Sequence, residues 1–177
     1  MQFSKALFIH SILCLVFASS SAFALMLGLR TEKLTRDADL IITGDVEDTE
    51  SNWTPDKKLI MTTAVVSIAE VIKGKTVEKK IRVLYPGGEV GDIGMKISDE
   101  APLRKGEQVL LFLKPEKQFS NGFSYRISGR AQGKYIIGDD LVARKHGFSV
   151  ADSDELVDNN IQVETLIEKI RIYVDEK

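Results

Sequence analysis

The chain has 177 residues, with 24 Lys and Arg against 26 Asp and Glu, a formal net charge of −2, one cysteine and two histidines. One cysteine excludes a disulfide scaffold and any multi-cysteine metal centre, and the removal of His10 with the signal-like segment of residues 1–24 leaves too few histidines for a multi-histidine site. A slightly acidic chain without a basic block is also a poor partner for nucleic acid, where neutralising phosphates dominates affinity.

Residues 1–24 carry Lys5, an apolar stretch, three consecutive serines and then Ala22-Phe23-Ala24. That is the layout of a secretory signal with an A-x-A cleavage site, too short and wrongly flanked for a spanning helix. Cleavage removes Cys14 and His10, leaving a product with no thiol and His146 as its one histidine. Cys14 follows Ile12-Leu13 instead of a small residue, so a lipid anchor is not expected. The expected product is exported, periplasmic or extracellular, and free of the membrane.

Residues 25–37 form a short N-terminal segment. From 38 to 150 the pattern is that of strands. Residues 38–46 hold the run Leu40-Ile41-Ile42. Residues 61–72 alternate through Ala64, Val66 and Ile68, then slip in phase before Val71, as at a bulge. Ile81, Val83 and Tyr85 alternate up to Pro86-Gly87-Gly88. Residues 109–113 are wholly apolar. Phe123, Tyr125 and Ile127 alternate with polar neighbours, and Gly138-Asp139-Asp140 turns Tyr135-Ile136-Ile137 into a hairpin with Leu141-Val142-Ala143. Residues 47–58 read as a polar loop, and 87–104 as a long, glycine-punctuated connection that is partly ordered. Residues 151–177 change period: after an acidic loop (Asp152, Asp154, Glu155), Val163, Leu166, Ile167, Ile170 and Val174 fall at helical spacing, with Asn159-Asn160 as capping residues. The fold expected is mainly β: an OB/netrin-like Greek-key barrel of five or six strands with one C-terminal helix packed on it. A β-sandwich is the rival, because it too is built of short alternating strands.

Ordered blocks along the chain carry a resemblance. They are Ala38-Asp39-Leu40-Ile41-Ile42-Thr43-Gly44-Asp45-Val46, Val71-Ile72-Lys73-Gly74, Pro86-Gly87-Gly88 with Gly91 and Gly94-Met95, residues 106–113, and Gly129-Arg130-Ala131-Gln132-Gly133-Lys134-Tyr135. The set resembles a family of small, largely uncharacterised exported bacterial proteins often encoded near zinc metalloproteases. The first two blocks are also similar to the netrin-like module of tissue inhibitors of metalloproteinases, which is an OB-type barrel. Those inhibitors chelate zinc through an N-terminal cysteine. Here the new N-terminus is Leu25-Met26, so no inhibitory residue carries over.

Motifs for chemistry are few. Gly88, Gly91 and Gly94 lack the Lys-Ser/Thr and helix start of a phosphate loop, and Glu89 and Asp92 repel phosphate. The acids at 152–155 have Leu156 and Val157 where a calcium loop needs an oxygen ligand and glycine. His146 has no nucleophile motif to serve. No catalytic residue, metal ligand or cofactor is therefore expected. The reading is a non-enzymatic exported binding or interaction protein, with a metalloprotease as the partner that the resemblance implies. An enzyme or small-ligand carrier whose site is assembled from distant residues is the alternative. The candidate contact residues are Trp53, the single tryptophan, in the loop 47–58, and Val90, Ile93 and Met95 among the glycines of 87–104. Mass spectrometry of the exported protein is expected to give Leu25 as the first residue; an unprocessed chain would overturn the export reading.

Overall fold

The computed structural model describes residues 27–117, 123–148 and 157–176. The signal segment and the acidic residues Asp152, Asp154 and Glu155 lie outside the described residues. The molecule is mainly β. Its strands are β1 (Leu40–Trp53), β2 (Ile60–Lys73), β3 (Lys80–Pro86), β4 (Gly88–Val90), β5 (Ile93–Met95), β6 (Gln108–Glu116), β7 (Ser124–Ile127), β8 (Lys134–Ile137), β9 (Val142–Arg144) and β10 (Ile161–Gln162). Helix α1 (Thr31–Asp37) precedes them and helix α2 (Val163–Asp175) ends the described chain. No helix among the described residues is long and apolar enough to cross a membrane.

Pairing makes the sheet close on itself. β1 pairs antiparallel with β2 along its length and, over residues 40–45, with β6 on its other edge. β2 continues to β3, β3 meets β7 in parallel at Val83 and Tyr125, and β7 pairs antiparallel with β6. The other part of β6 pairs with β8, which extends the sheet outward through β9 to β10. The main sheet thus has eight strands, five in the closing set and β8, β9 and β10 added outward from β6.

β6 explains this layout. Val109, Leu110, Leu111, Phe112 and Leu113 are all fully buried. In a strand, successive side chains point to opposite faces, so a continuous apolar run requires two apolar faces to meet it. Val109, Leu111 and Leu113 enter a core inside the closing sheet with Ile42, Val66, Val83 and Ile127. Leu110 and Phe112 enter a second core on the outer face with Leu34, Tyr135, Leu166 and Ile170. Ile41 of β1 faces that outer core while Leu40 and Ile42 face the inner one.

Bends in the long hairpin allow closure. The β1–β2 register shifts at three places, leaving Ala69 and Ile72 as extra residues on β2 and Glu47 on β1. An unpaired extra residue bends its strand and increases local twist. The phase slip expected before Val71 is the bulge at Ala69, and a second bulge at Ile72 follows it. Gly44 sits at one shift, where a Cβ would lie 2.2 Å from the Ser67 carbonyl oxygen; only glycine permits the two backbones to approach so closely.

Three expectations are corrected. Residues 47–53 are not loop: β1 continues to Trp53, opposite Ile60, and only residues 54–59 turn. Although polar, they alternate against the apolar β2, so tertiary pairing overrides their weak strand propensity. The N-terminal segment contains helix α1, whose buried Thr31, Leu34 and Thr35, followed by buried Ala38, fall at helical spacing. Lys73 Nζ at the end of β2 donates to the Thr35 and Ala38 carbonyls (2.6 and 2.5 Å), satisfying the helix C-terminus. Asn159 and Asn160 do not cap α2, whose N-cap is Gln162. Asn159 Oδ1 instead accepts from the Lys145 backbone N–H at 2.8 Å.

The stripe on α2 docks as expected. Leu166 and Ile170 are fully buried, while Val163, Ile167 and Val174 pack at the margin. Ile170→Ala is expected to lower the unfolding free energy by about 2–5 kcal/mol. Glu168→Ala, on the exposed side, should leave it within about 0.5 kcal/mol; equal effects in a urea titration would contradict the docking.

Candidate functional site

The four residues singled out in the sequence lie around the far end of the β1–β2 hairpin and the small β4–β5 hairpin. Trp53 is the last residue of β1 and half-buried. It belongs to neither core. β4 lies against β1 and β2, and Gly88 is the point of approach. A Cβ there would meet Thr62 Oγ1 at 2.2 Å and Ser51 Oγ at 2.4 Å. Those two hydroxyls hydrogen-bond each other at 2.8 Å, and Thr62 Oγ1 donates to the Gly87 carbonyl at 2.5 Å. β4 is thereby fixed two residues along the strand from Trp53. Val90 and Met95 are half-buried at the ends of β4 and β5, and Ile93 is 54% exposed.

The rest of this long connection has a different character. Beyond β5, residues 96–104 form a strap over one end of the closing sheet. Ala101 and Leu103 are buried, and Leu103 joins the inner core. Apolar closure of that end thus falls to Leu103, while Val90, Ile93 and Met95 stay outside both cores. Backbone carbonyls of the strap are held from below. Tyr85 Oη donates to Leu103 O (3.1 Å), Lys134 Nζ to Pro102 O (2.6 Å) and Ala131 N–H to Asp99 O (2.9 Å). Burial pushes the Tyr85 phenol up.

Two clefts flank the strap. One, of about 770 Å³, is lined by Ser51, Thr62, Tyr85, Glu89 and Met95. The other, of about 660 Å³, is lined by Asp99, Glu100, Glu107, Lys134, His146 and Phe148. Lys96, Glu100 and Arg104 touch both. In the second cleft Lys134 pairs with Glu107 at 2.5 Å, with side-chain exposures of 6% and 14%. Burial lowers the Lys134 pKa while the Glu107 carboxylate works against that fall. Glu100 moves the opposite way: burial raises its pKa although the Arg130 guanidinium, 3.7 Å away, favours the carboxylate. His146 is exposed on the same wall. Among the described residues no group of three His, Cys, Asp or Glu side chains is placed to hold a metal ion.

Sequence reading missed Lys134, Glu107, Glu100 and the role of Leu103. A signal for Lys134 was present: it stands two residues before Ile136 in an otherwise apolar strand, yet its burial depends on Glu107, which is 27 residues away. No protein-family model matches the chain, and no curated protein matches it.

Removing one member of a buried ion pair leaves a charge without compensation, at a cost of about 3–5 kcal/mol. Glu107→Gln is therefore expected to lower stability by roughly 3 kcal/mol or more. Arg104→Gln, whose side chain is 77% exposed, should change it by less than about 1 kcal/mol. Chemical denaturation of both variants decides between a structural pair and an incidental contact.

Proposed function

We propose that this chain is a non-enzymatic exported binding protein, built on an OB/netrin-like Greek-key barrel, whose contact surface for another exported protein is formed by Trp53, Val90, Ile93 and Met95. The fold reading is supported by connectivity. β1, β2 and β3 follow one another as neighbours, and β6 returns by the long connection to lie beside β1, which is the Greek-key order. Five strands in one pairing ring, with a helix outside, fit an OB-type barrel.

One observation carries the binding reading. The space enclosed by the sheet is filled by apolar side chains such as Val66, Val83, Val109 and Leu111, each fully buried, so ligand recognition is left to the outer edges. There the end of the β1–β2 hairpin carries a half-buried indole, and the β4–β5 hairpin, braced at Gly88 against Ser51 and Thr62, carries an isoleucine that is 54% exposed. Rigidly held aromatic and apolar residues of this kind are what protein interfaces use as anchors. A metalloprotease partner is the choice that the family resemblance implies; the zinc-chelating mode of tissue inhibitors is not part of the proposal.

The cleft containing Glu100 and His146 favours a second reading, a small-ligand or catalytic site. A carboxyl whose pKa is raised by burial, in a cleft with other titratable groups, has the character of a functional acid. Under that reading Glu100→Gln abolishes ligand binding and Trp53→Ala does not.

Binding to a purified exported zinc metalloprotease tests the first reading. Trp53→Ala and Ile93→Ala are each expected to weaken binding at least fivefold, about 1 kcal/mol, with the unfolding midpoint unchanged. Loss of roughly 3 kcal/mol of stability in Trp53→Ala, the size expected of a buried ring, would make it a structural residue and remove it from the site.

A further inference from the structure

Lys145 is 3% exposed, and its Nζ has no hydrogen-bond partner among the described residues. The amine stands over the face of Tyr135, 4.5 Å from the ring centroid. Its backbone is fixed at both polar atoms. Lys145 N–H donates to Asn159 Oδ1, and Asn159 Nδ2 donates to the Lys145 carbonyl at 3.4 Å. An ammonium carries three donors and cannot be buried unpaired without a large penalty.

The surroundings join four parts of the chain. Tyr135 of β8 donates its hydroxyl to the Asp158 carbonyl at 3.0 Å and lies 3.4 Å from Thr31 Oγ1 of α1. Thr31 Oγ1 donates to Asp158 Oδ2 at 2.5 Å, and Lys169 Nζ of α2 to Asp158 Oδ1 at 2.6 Å. Asp158 thus ties the start of α1 to the middle of α2, with Lys145 and Tyr135 beneath. The charged and titratable groups around Lys145 are Tyr135 from β8, whose ring lies under the amine, and Asp158 from the connection before β10, itself engaged by Lys169 of α2. Its chain neighbours face elsewhere. Arg144 pairs with Asp140 at 2.5 Å, and His146 lines the cleft under the strap.

We propose that Lys145, held without a hydrogen-bond partner between the Tyr135 ring and Asp158, is a pH-sensitive latch on the layer that docks α1 and α2 onto the sheet. The neutral amine fits the closed layer as a mostly apolar chain lying on an aromatic ring. The ammonium is drawn by the ring face and by Asp158, but neither supplies the hydrogen bonds that water would. Proton uptake therefore favours an opened arrangement in which the amine reaches solvent.

The sign and window follow from linkage. Burial takes the Lys145 pKa from the ordinary 10.5 down to about 7, with Asp158 opposing the fall. The open state binds the proton more readily than the closed one across that interval. Opening therefore becomes more frequent as pH falls from 10.5 toward 7, and levels off below 7.

Amide exchange in the intact protein tests the latch. The exchange rate of the Leu166 and Ile170 amides, divided by the rate of the same amides in an unstructured peptide at the same pH, cancels the intrinsic pH dependence of the chemistry. From pH 9 to pH 7 that ratio is expected to rise roughly fifty-fold in the wild type, and to stay level in Lys145→Met. A ratio insensitive to pH in the wild type would overturn the proposal, as would the same pH dependence in Lys145→Met. The Lys145 Cε resonance, followed against pH in the wild-type protein, tests the same amine without relying on the variant to fold. A midpoint near 7 is expected, and one near 10.5 would sink the latch.

Discussion

The fold depends on one strand that has no solvent side. All five residues from Val109 to Leu113 are buried, odd positions in the inner core and even positions in the outer one. One edge of β6 is taken by β1 and the other is divided between β8 and β7. A strand satisfied on both edges and dry on both faces forces the sheet to curl around one face and two helices to cover the other. The bulges at Glu47, Ala69 and Ile72 and the close approach at Gly44 are the local means by which the long hairpin meets that demand.

From this constraint comes the division of labour across the surface. The inner core is closed at one end by Leu103, which fastens a strap whose carbonyls are held by Tyr85 and Lys134. With the interior filled, what projects is the hairpin end at Trp53, the braced β4–β5 hairpin and the clefts beside the strap, and the proposed function draws its contact surface from these. A loop set on so rigid a base loses little entropy on binding, the usual reason that scaffolded loops carry function. The outer core is closed in another way. Its polar margin runs through Asp158, which holds Thr31 and Lys169, so the helical cover rests partly on groups that can change charge.

Much of this was legible in the sequence, and the reason differs by element. The β6 run, the alternation of Ile81, Val83 and Tyr85, the turn at 138–140 and the α2 stripe are local patterns whose period matches their structure. The distal half of β1 was hidden because Glu47, Asp48 and Glu50 read as loop; its strand character comes from pairing with β2. Helix α1 has a stripe of only Leu34, Ala38 and two threonines, too sparse to show a period by itself. Asn159 looked like a helix cap but serves the Lys145 backbone. The buried lysines were the hardest. Lys145 shares a face with Ala143, two residues earlier and fully buried in β9, so alternation hinted at an inward position. Nothing local marked Tyr135 and Asp158 as its surroundings.

If β6 joins the two cores as described, the closing sheet and its helical cover unfold as one unit. Trp53 is the single tryptophan and reports on the far hairpin, while circular dichroism at 222 nm is weighted toward α1 and α2. Denaturant unfolding at pH 8, followed by both signals, is predicted to give coincident midpoints and slopes. A helical transition completed at lower denaturant than the Trp53 transition would contradict the account.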